Sequence, residues 1–139
     1  MASFVKFETF VGDLGDKVHD LDADTLRVYL TNATPSASAD SVRADLAEIT
    51  AENGYSAGGA DVSAAWSESG GTGTLTATDV TFTASGGSFG PLRYAVLYND
   101  TPTSPADPLI AYWDYGSSIT VSDGESLEVD FGASVLTIS

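Results

Sequence analysis

The sequence predicts a mainly β (α+β) fold, an antiparallel β-sandwich or barrel-like core of about eight strands with an N-terminal α-helix. Near the N-terminus, apolar residues recur at spacings of three and four, which is typical of a helix. From Thr25 the apolar period changes to two, which is typical of strands. After Ala51, Gly, Asp and Asn interrupt the chain about every ten residues, as in sheets of short strands. The 139 residues fit a single domain, with the helix at residues 1–21 and the β-rich core at residues 25–139.

The N-terminal segment is expected to form an amphipathic helix that Ser3 could cap. Its apolar face consists of Phe4, Phe7, Val11, Leu14, Val18 and Leu21. Gly12 and Gly15 each weaken a helix by up to about 1 kcal/mol relative to Ala, so packing must supply its stability. Two interpretations fit this face: a helix packed on the core of its own domain, which is the simpler one, or an arm that docks on a neighbouring subunit.

The β-rich core begins with a strand from Thr25 that is expected to be half-buried. Leu26, Val28 and Leu30 point one way, and Arg27, Tyr29 and Thr31 point the other. A loop at 32–41 follows, and 41–49 suggests a short helix. The remaining predicted strands are 62–67, 73–78, 80–84, 92–98, 109–115, 118–121, 126–131 and 134–138. The strand at 92–98 is apolar on both faces and is therefore expected at the centre of a sheet. Asp123-Gly124 suggests a hairpin turn, and the prolines of 99–108 suggest a surface loop.

Charge and composition exclude several classes of function. Twenty acidic residues against five basic ones give a net charge of −15, which argues against nucleic-acid binding. No Cys is present, so disulfides and thiolate metal sites are excluded. We find neither a signal-peptide pattern nor an apolar stretch long enough to span a membrane, and we expect no contact with a membrane.

Candidate catalytic and metal-binding groups are few. His19 is the single imidazole, and we expect it to be an exposed helix residue beside carboxylates rather than a catalytic base. Asp20, Asp22 and Asp24 have the spacing that opens an EF-hand loop. The sixth position of that loop, however, is Thr25 rather than Gly, and the twelfth is Thr31 rather than Glu. We therefore interpret these acids as a solvated turn, with weak cation binding as the alternative.

Glycosidase and nucleotide-binding patterns are also weak. Glu125 and Asp114 could form a carboxylate pair, but sequence spacing does not give their separation in space. The glycine-rich segment 86–90 lacks the Lys of a phosphate-binding loop. The sequence therefore predicts a protein that is not an enzyme, with no catalytic residue, no metal site and no cofactor.

Three aromatic residues lie close together at Tyr112, Trp113 and Tyr115. Strand alternation places Trp113 and Tyr115 on one face and Tyr112 on the other. Such rings fill a core or a subunit interface, which we favour here, but on a β-sandwich they also form platforms that stack on sugars. A carbohydrate-binding module that uses Trp113 and Tyr115 is therefore an alternative function.

Segments spread along the whole chain resemble a family of small tailed-bacteriophage virion structural proteins. They are 2–4 with 18–19, 24–32, 53–55 with Gly58-Gly59, 93–100 and 113–119. Within that group the chain is most similar to head decoration (cement) proteins, although minor tail proteins are similar too. The resemblance implies a protein made in the cytoplasm of the host bacterium that joins the virion at the capsid surface. It further implies the major capsid protein as the partner, and self-association, possibly as a trimer.

Overall fold

The computed structural model describes residues 2–139 and shows a mainly β protein with one α-helix near its N-terminus. The strands are β1 (Ser3–Lys6), β2 (Leu26–Thr31), β3 (Ala60–Val62), β4 (Ala64–Ser69), β5 (Thr72–Ala77), β6 (Val80–Thr83), β7 (Phe89–Asn99), β8 (Leu109–Val121), β9 (Ser126–Val129) and β10 (Leu136–Ile138). The helix α1 spans Glu8–Gly15. The predicted fold class is thus confirmed. Among residues 2–139, no helix is long and apolar enough to cross a membrane.

The strands form three antiparallel sheets. The largest has the order β1-β8-β7-β2-β3, the second has the order β10-β5-β4, and the third pairs β6 with β9. Strand β7 lies at the centre of the large sheet, as its two apolar faces predicted. Its neighbouring residues Ala95 and Val96 point to opposite faces, and both are fully buried.

Two hydrophobic clusters cover the two faces of the large sheet. The larger cluster joins Val28 and Leu97 of that sheet to Leu75 of β5 and Phe82 of β6, so the small sheets pack on this face as in a sandwich. The smaller cluster, on the opposite face, holds Tyr29, Val96 and Tyr98 together with Leu46. The apolar core therefore has a sheet-on-sheet side and a sheet-on-loop side.

The predicted helix over 1–21 is wrong in its bounds. Residues 3–6 form β1, which pairs with β8 and sets Phe4 opposite Trp113. The helix α1 begins after Phe7, with no side chain capping its start, and Val11 on its surface is 56% exposed. A spacing of three and four cannot reveal that a free sheet edge is available nearby, and pairing with that edge overrides helix periodicity.

Several β-region predictions are also corrected. The expected helix at 41–49 is a single 3-10 turn at Arg43–Asp45. Strand β2 is covered on both faces, since Tyr29 and Thr31 are fully buried. The predicted strands 109–115 and 118–121 are one strand, β8, and 62–67 is divided between β3 and β4. The turn at 122–125 exists, but it is no hairpin because β9 pairs with β6.

Candidate functional site

The candidate site is a groove of about 470 Å³ between strand β1 and the segment that connects β9 to β10. We call it the β1 groove. The residues of its lining that carry the argument are Phe4, Trp113, Tyr115, Glu128, Asp130 and Phe131. They come from three separate parts of the chain, which meet where the large sheet ends and the sandwich opens at its side.

Aromatic rings form the floor of the β1 groove. Trp113 is 5% exposed and lies between Phe4 and Phe131. Both rings meet the indole edge-on, with centroid separations of 5.4 Å to Phe4 and 5.1 Å to Phe131. Phe4 itself is 41% exposed, so it forms an apolar rim above a buried aromatic floor. Little of the Trp113 face is free, and this disfavours Trp113 as a platform for stacking on a sugar.

Tyr115 continues the floor and joins the two layers. Its hydroxyl donates a hydrogen bond to the backbone carbonyl of Glu128 over 3.4 Å. Burial, and then the negative charges of Asp130 and Glu128, raise the pKa of Tyr115 to about 12. The hydroxyl therefore keeps its proton at neutral pH and remains a donor. As the alternation predicted, Trp113 and Tyr115 share one face of β8, and Tyr112 packs in the cluster on the other face.

Three exposed carboxylates converge beside the groove. Asp79, Glu128 and Asp130 each place one oxygen within 4.8 Å of the others. Asp79 accepts the backbone N–H of Phe131 at 2.9 Å, and Asp130 accepts that of Gly132 at 2.8 Å. Within residues 2–139 the four ion pairs involve other acids, so no Lys or Arg neutralises this group. Like charges this close repel one another, and a cation would relieve that repulsion. Oxygen ligands of this kind suit a hard cation, but calcium takes six to eight of them.

The backbone of β1 adds a third feature, because β1 is an edge strand of the large sheet. The N–H of Phe7 donates to the carbonyl of Ile110, which fixes the phase of the β1–β8 ladder. By antiparallel alternation, the N–H and C=O groups of Ser3 and Val5 point toward β8, and those of Phe4 and Lys6 point outward. Beyond Lys6 the edge is closed, since the N–H of Glu8 donates to the carbonyl of Ala37. The outward groups are available to a further strand.

The prediction that His19 is an exposed helix residue is wrong. His19 lies beyond the end of α1 and is 6% exposed, with its ring beside that of Phe10. Its Nδ1 lies 3.0 Å from the Asn99 amide nitrogen, which also donates to Asp24 at 2.7 Å. That amide nitrogen is a donor, so Nδ1 accepts and the ring proton lies on Nε2. Within residues 2–139, Nε2 has no hydrogen-bond partner. Burial lowers the pKa of His19, against the raising effect of Asp13 and Asp24.

The acids at 20, 22 and 24 form a capped turn, as the sequence indicated. Oδ1 of Asp20 accepts the N–H groups of Asp22 and Ala23, and Asp24 accepts the N–H of Asp20. Asp22 and Asp20 are exposed, and the metal-ligand geometry found at Asp79 is not found for these three acids within residues 2–139. Their carboxylates stabilise the chain reversal that leads into β2.

The remaining candidate residues have structural partners. Asp114 is paired with Arg93 at 2.9 and 3.3 Å, and this pairing lowers the pKa of Asp114. Glu125 accepts the N–H of Ser122 at 3.1 Å within the 122–125 turn. In the glycine-rich segment, the N–H of Gly86 donates to Asp123 at 3.0 Å. The structure gives these groups roles in turns and in a cross-strand ion pair between β7 and β8.

Sequence reasoning missed Phe4, Glu128 and Asp130 as members of one site. Alternation in 126–131 did carry a signal, because it sets Glu128 and Asp130 on the face opposite Leu127, Val129 and Phe131. No signal of that kind shows that these acids lie beside residue 4. Comparisons with family models, with curated proteins and with solved structures find no match to this chain, so the residues of the site carry the functional argument.

Proposed function

We propose that this protein is a non-enzymatic structural component of a tailed-phage virion, a decoration (cement) protein that binds the outer surface of the capsid and stabilises the head. The observation that supports the proposal is the edge strand β1, where the exposed Phe4 adjoins a groove with an aromatic floor. Edge strands of this kind are sites at which another chain can add to a sheet. The resemblance of the sequence to virion proteins points to the same class of function.

The physical role of such a protein is to add contact energy to a shell. Many copies bind across neighbouring capsomers, and repeated weak contacts together oppose opening of the head. The major capsid protein is then the partner. Self-association into a closed ring such as a trimer would match the local symmetry of the shell, and sedimentation of the purified protein measures it.

The test is co-sedimentation with virion parts from a phage that encodes this chain. Purified protein is mixed with expanded heads that lack it and, separately, with tails, at low and high salt. Saturable binding to heads is the expected result. Binding to tails alone would favour a minor tail protein, and binding to neither, with retention on a glycan column, would favour the carbohydrate-binding alternative.

A matched pair of variants locates the binding surface. Phe4 and Ile138 are exposed to nearly the same extent, 41% and 40%, and both lie on edge strands. We expect Phe4→Asp to abolish saturable binding to heads and Ile138→Asp to leave it unchanged. Equal loss in the two variants, or equal retention, would remove the β1 edge from the proposal.

A further inference from the structure

We propose that the β1 groove binds an extended basic segment of the partner, which adds to β1 as a strand and places a Lys or Arg side chain against Glu128 and Asp130. This inference rests on the proposed function and names the chemistry of the partner at that surface. It follows from three observations that lie within one small region: the backbone of an edge strand, an apolar rim and an unneutralised group of carboxylates.

The backbone of β1 sets the shape of the occupant. The outward N–H and C=O groups of Phe4 and Lys6 form the start of a ladder that only an extended chain can continue. The edge is short, because Glu8 is already bonded to Ala37. Few backbone bonds are therefore available, and side-chain contacts must supply much of the affinity and the register.

Phe4 sets the apolar part of the occupant. A strand that pairs with β1 places one side chain directly beside Phe4, on the face that carries the groove. An apolar side chain there would cover the ring that is 41% exposed and extend the Phe4–Trp113–Phe131 aromatic cluster. Burial of this surface favours binding by the ordinary hydrophobic effect.

The carboxylates set the charge of the occupant. Glu128 and Asp130 line the groove, and a carboxylate oxygen of Asp79 lies within 4.8 Å of a carboxylate oxygen of each. All three residues are exposed. A residue two positions from the apolar one lies on the same face of the added strand, within reach of this group. A cation at that position gains from the carboxylates and from the electron-rich faces of Tyr115 and Phe4. A carboxylate at the same position would be repelled.

Lys6 determines which end of the added strand can carry the basic side chain. It lies on the same face of β1 as Phe4 but further along the strand, outside the lining of the groove. A basic side chain is therefore favoured at the end of the added strand near Glu128 and disfavoured at the end near Lys6. The charge complementarity is local to the groove and is distinct from the net charge of −15.

The direct test uses synthetic peptides. The probe is Thr-Val-Thr-Lys-Thr-Val-Thr-Lys, which as a strand carries Val and Lys on one face, labelled with a fluorophore for anisotropy titration. One control peptide has Glu in place of Lys. A second has Pro in place of Thr, which keeps the charge and the apolar groups but prevents strand pairing. We expect the first peptide to bind at least about tenfold more tightly than either control.

Protein variants separate local recognition from general attraction of a cation to an acidic protein. Glu128→Gln with Asp130→Asn removes two charges from the groove and preserves side-chain shape. Asp16→Asn with Glu52→Gln removes two charges from exposed positions elsewhere. The groove pair is expected to weaken binding of the Lys peptide about tenfold, and the control pair by less than about twofold. Near-ultraviolet circular dichroism checks that each variant is folded.

Equal weakening by the two pairs of variants, equal affinity for the Thr and Pro peptides, or no binding of the Lys peptide would overturn the inference. Head binding measured with the same variants keeps the two proposals apart. Heads bound equally by the groove pair and by the control pair would leave the decoration function standing and remove the basic segment. Recognition of the peptide without binding to heads would leave the basic-segment inference standing and remove the decoration function.

Discussion

Two regions of the large sheet differ in whether their charged groups have partners within the protein and in whether their apolar side chains are buried. Beside β2, the segment 43–58 forms a dense internal network. Glu48 accepts hydrogen bonds from Arg43 at 2.6 Å, from the Tyr55 hydroxyl at 2.5 Å and from the N–H of Gly58 at 2.7 Å. At the edge of β1, by contrast, the carboxylates beside the groove have no basic partner within residues 2–139, and Phe4 is half-exposed.

The segment 43–58 of this network also packs closely against the sheet. Tyr55 accepts the N–H of Leu30 at 3.0 Å, and Tyr98 donates to the carbonyl of Gly58 at 2.7 Å, so the segment is tied to two strands. Gly59 has a positive φ of 77°, and a Cβ there would collide with the backbone carbonyl of Val28. The loop thus lies against the sheet backbone at a distance that only Gly permits.

The difference shows which region serves the fold and which is free for another role. A polar group that is satisfied internally contributes to stability and is costly to disturb. A surface carboxylate that has no basic partner gains little from ion pairing, so its charge is open to selection for binding. Mutations should therefore separate the two regions by their effects on the free energy of unfolding.

The largest effect is expected at the floor of the groove, which belongs to the core although it lines the site. Trp113→Ala removes a side chain that is 5% exposed and leaves a cavity between Phe4 and Phe131. We expect the free energy of unfolding to fall by about 3–5 kcal/mol. Urea unfolding followed by circular dichroism measures it. A loss below about 1 kcal/mol would show that Trp113 is a surface platform, as the sugar-binding alternative requires.

The next effect tests the network region. Glu48→Ala removes the acceptor shared by Arg43, Tyr55 and Gly58, and leaves the Arg43 Nη2, the Tyr55 O–H and the Gly58 N–H partly buried without that acceptor. We expect a loss of about 2–3 kcal/mol in the free energy of unfolding. The control is Glu52→Ala, an exposed acid four residues along the chain, for which the loss should stay below about 0.5 kcal/mol. Similar losses for the two variants would contradict the distinction between the regions.

The network around Glu48 shows which parts of the fold the sequence predicts and which it does not. The alternation of apolar residues from Thr25 predicted β2. The apolar residues at consecutive positions of 92–98 predicted that β7 is central, because a strand buried on both faces needs them. Nothing local in 41–49 indicated that Glu48 would satisfy Arg43, Tyr55 and a backbone N–H at once. The apolar spacing there suggested a helix, whereas pairing of Glu48 with Thr31 keeps the chain extended.

The candidate site was harder to predict because it joins residues from distant parts of the chain. The sequence does predict that Trp113 and Tyr115 share one face of a strand. The spacing of their partner Phe4 to Phe7, in contrast, predicts a helical turn. Only the pairing of β1 with β8 brings Phe4 to Trp113, and a contact over that sequence separation leaves no local pattern.

A smaller effect is expected at the rim of the groove. Phe4→Ala removes a ring that is 41% exposed and packs edge-on against Trp113. The expected loss in the free energy of unfolding is about 1–2 kcal/mol, well below that of Trp113→Ala. The affinity for the Lys peptide should fall by a much larger fraction of its wild-type value than the free energy of unfolding does. The control is Ile138→Ala, because Ile138 is exposed to nearly the same extent as Phe4 and its loss should leave peptide binding unchanged. A loss for Phe4→Ala as large as that for Trp113→Ala would place the rim in the core.

The smallest effect concerns His19, a buried polar group that is only half satisfied. Burial lowers the pKa of His19 below the ordinary value of 6.5, so the folded protein favours the neutral ring. Between the lowered pKa and 6.5 the unfolded chain therefore binds more protons than the folded one. Stability should fall on acidification through that window, by at most about 1.4 kcal/mol per pH unit. Because His19 is the single histidine, one set of imidazole proton resonances reports its pKa directly. His19→Gln should flatten the pH dependence near 6, and a measured pKa at or above 6.5 would show that Asp13 and Asp24 outweigh burial.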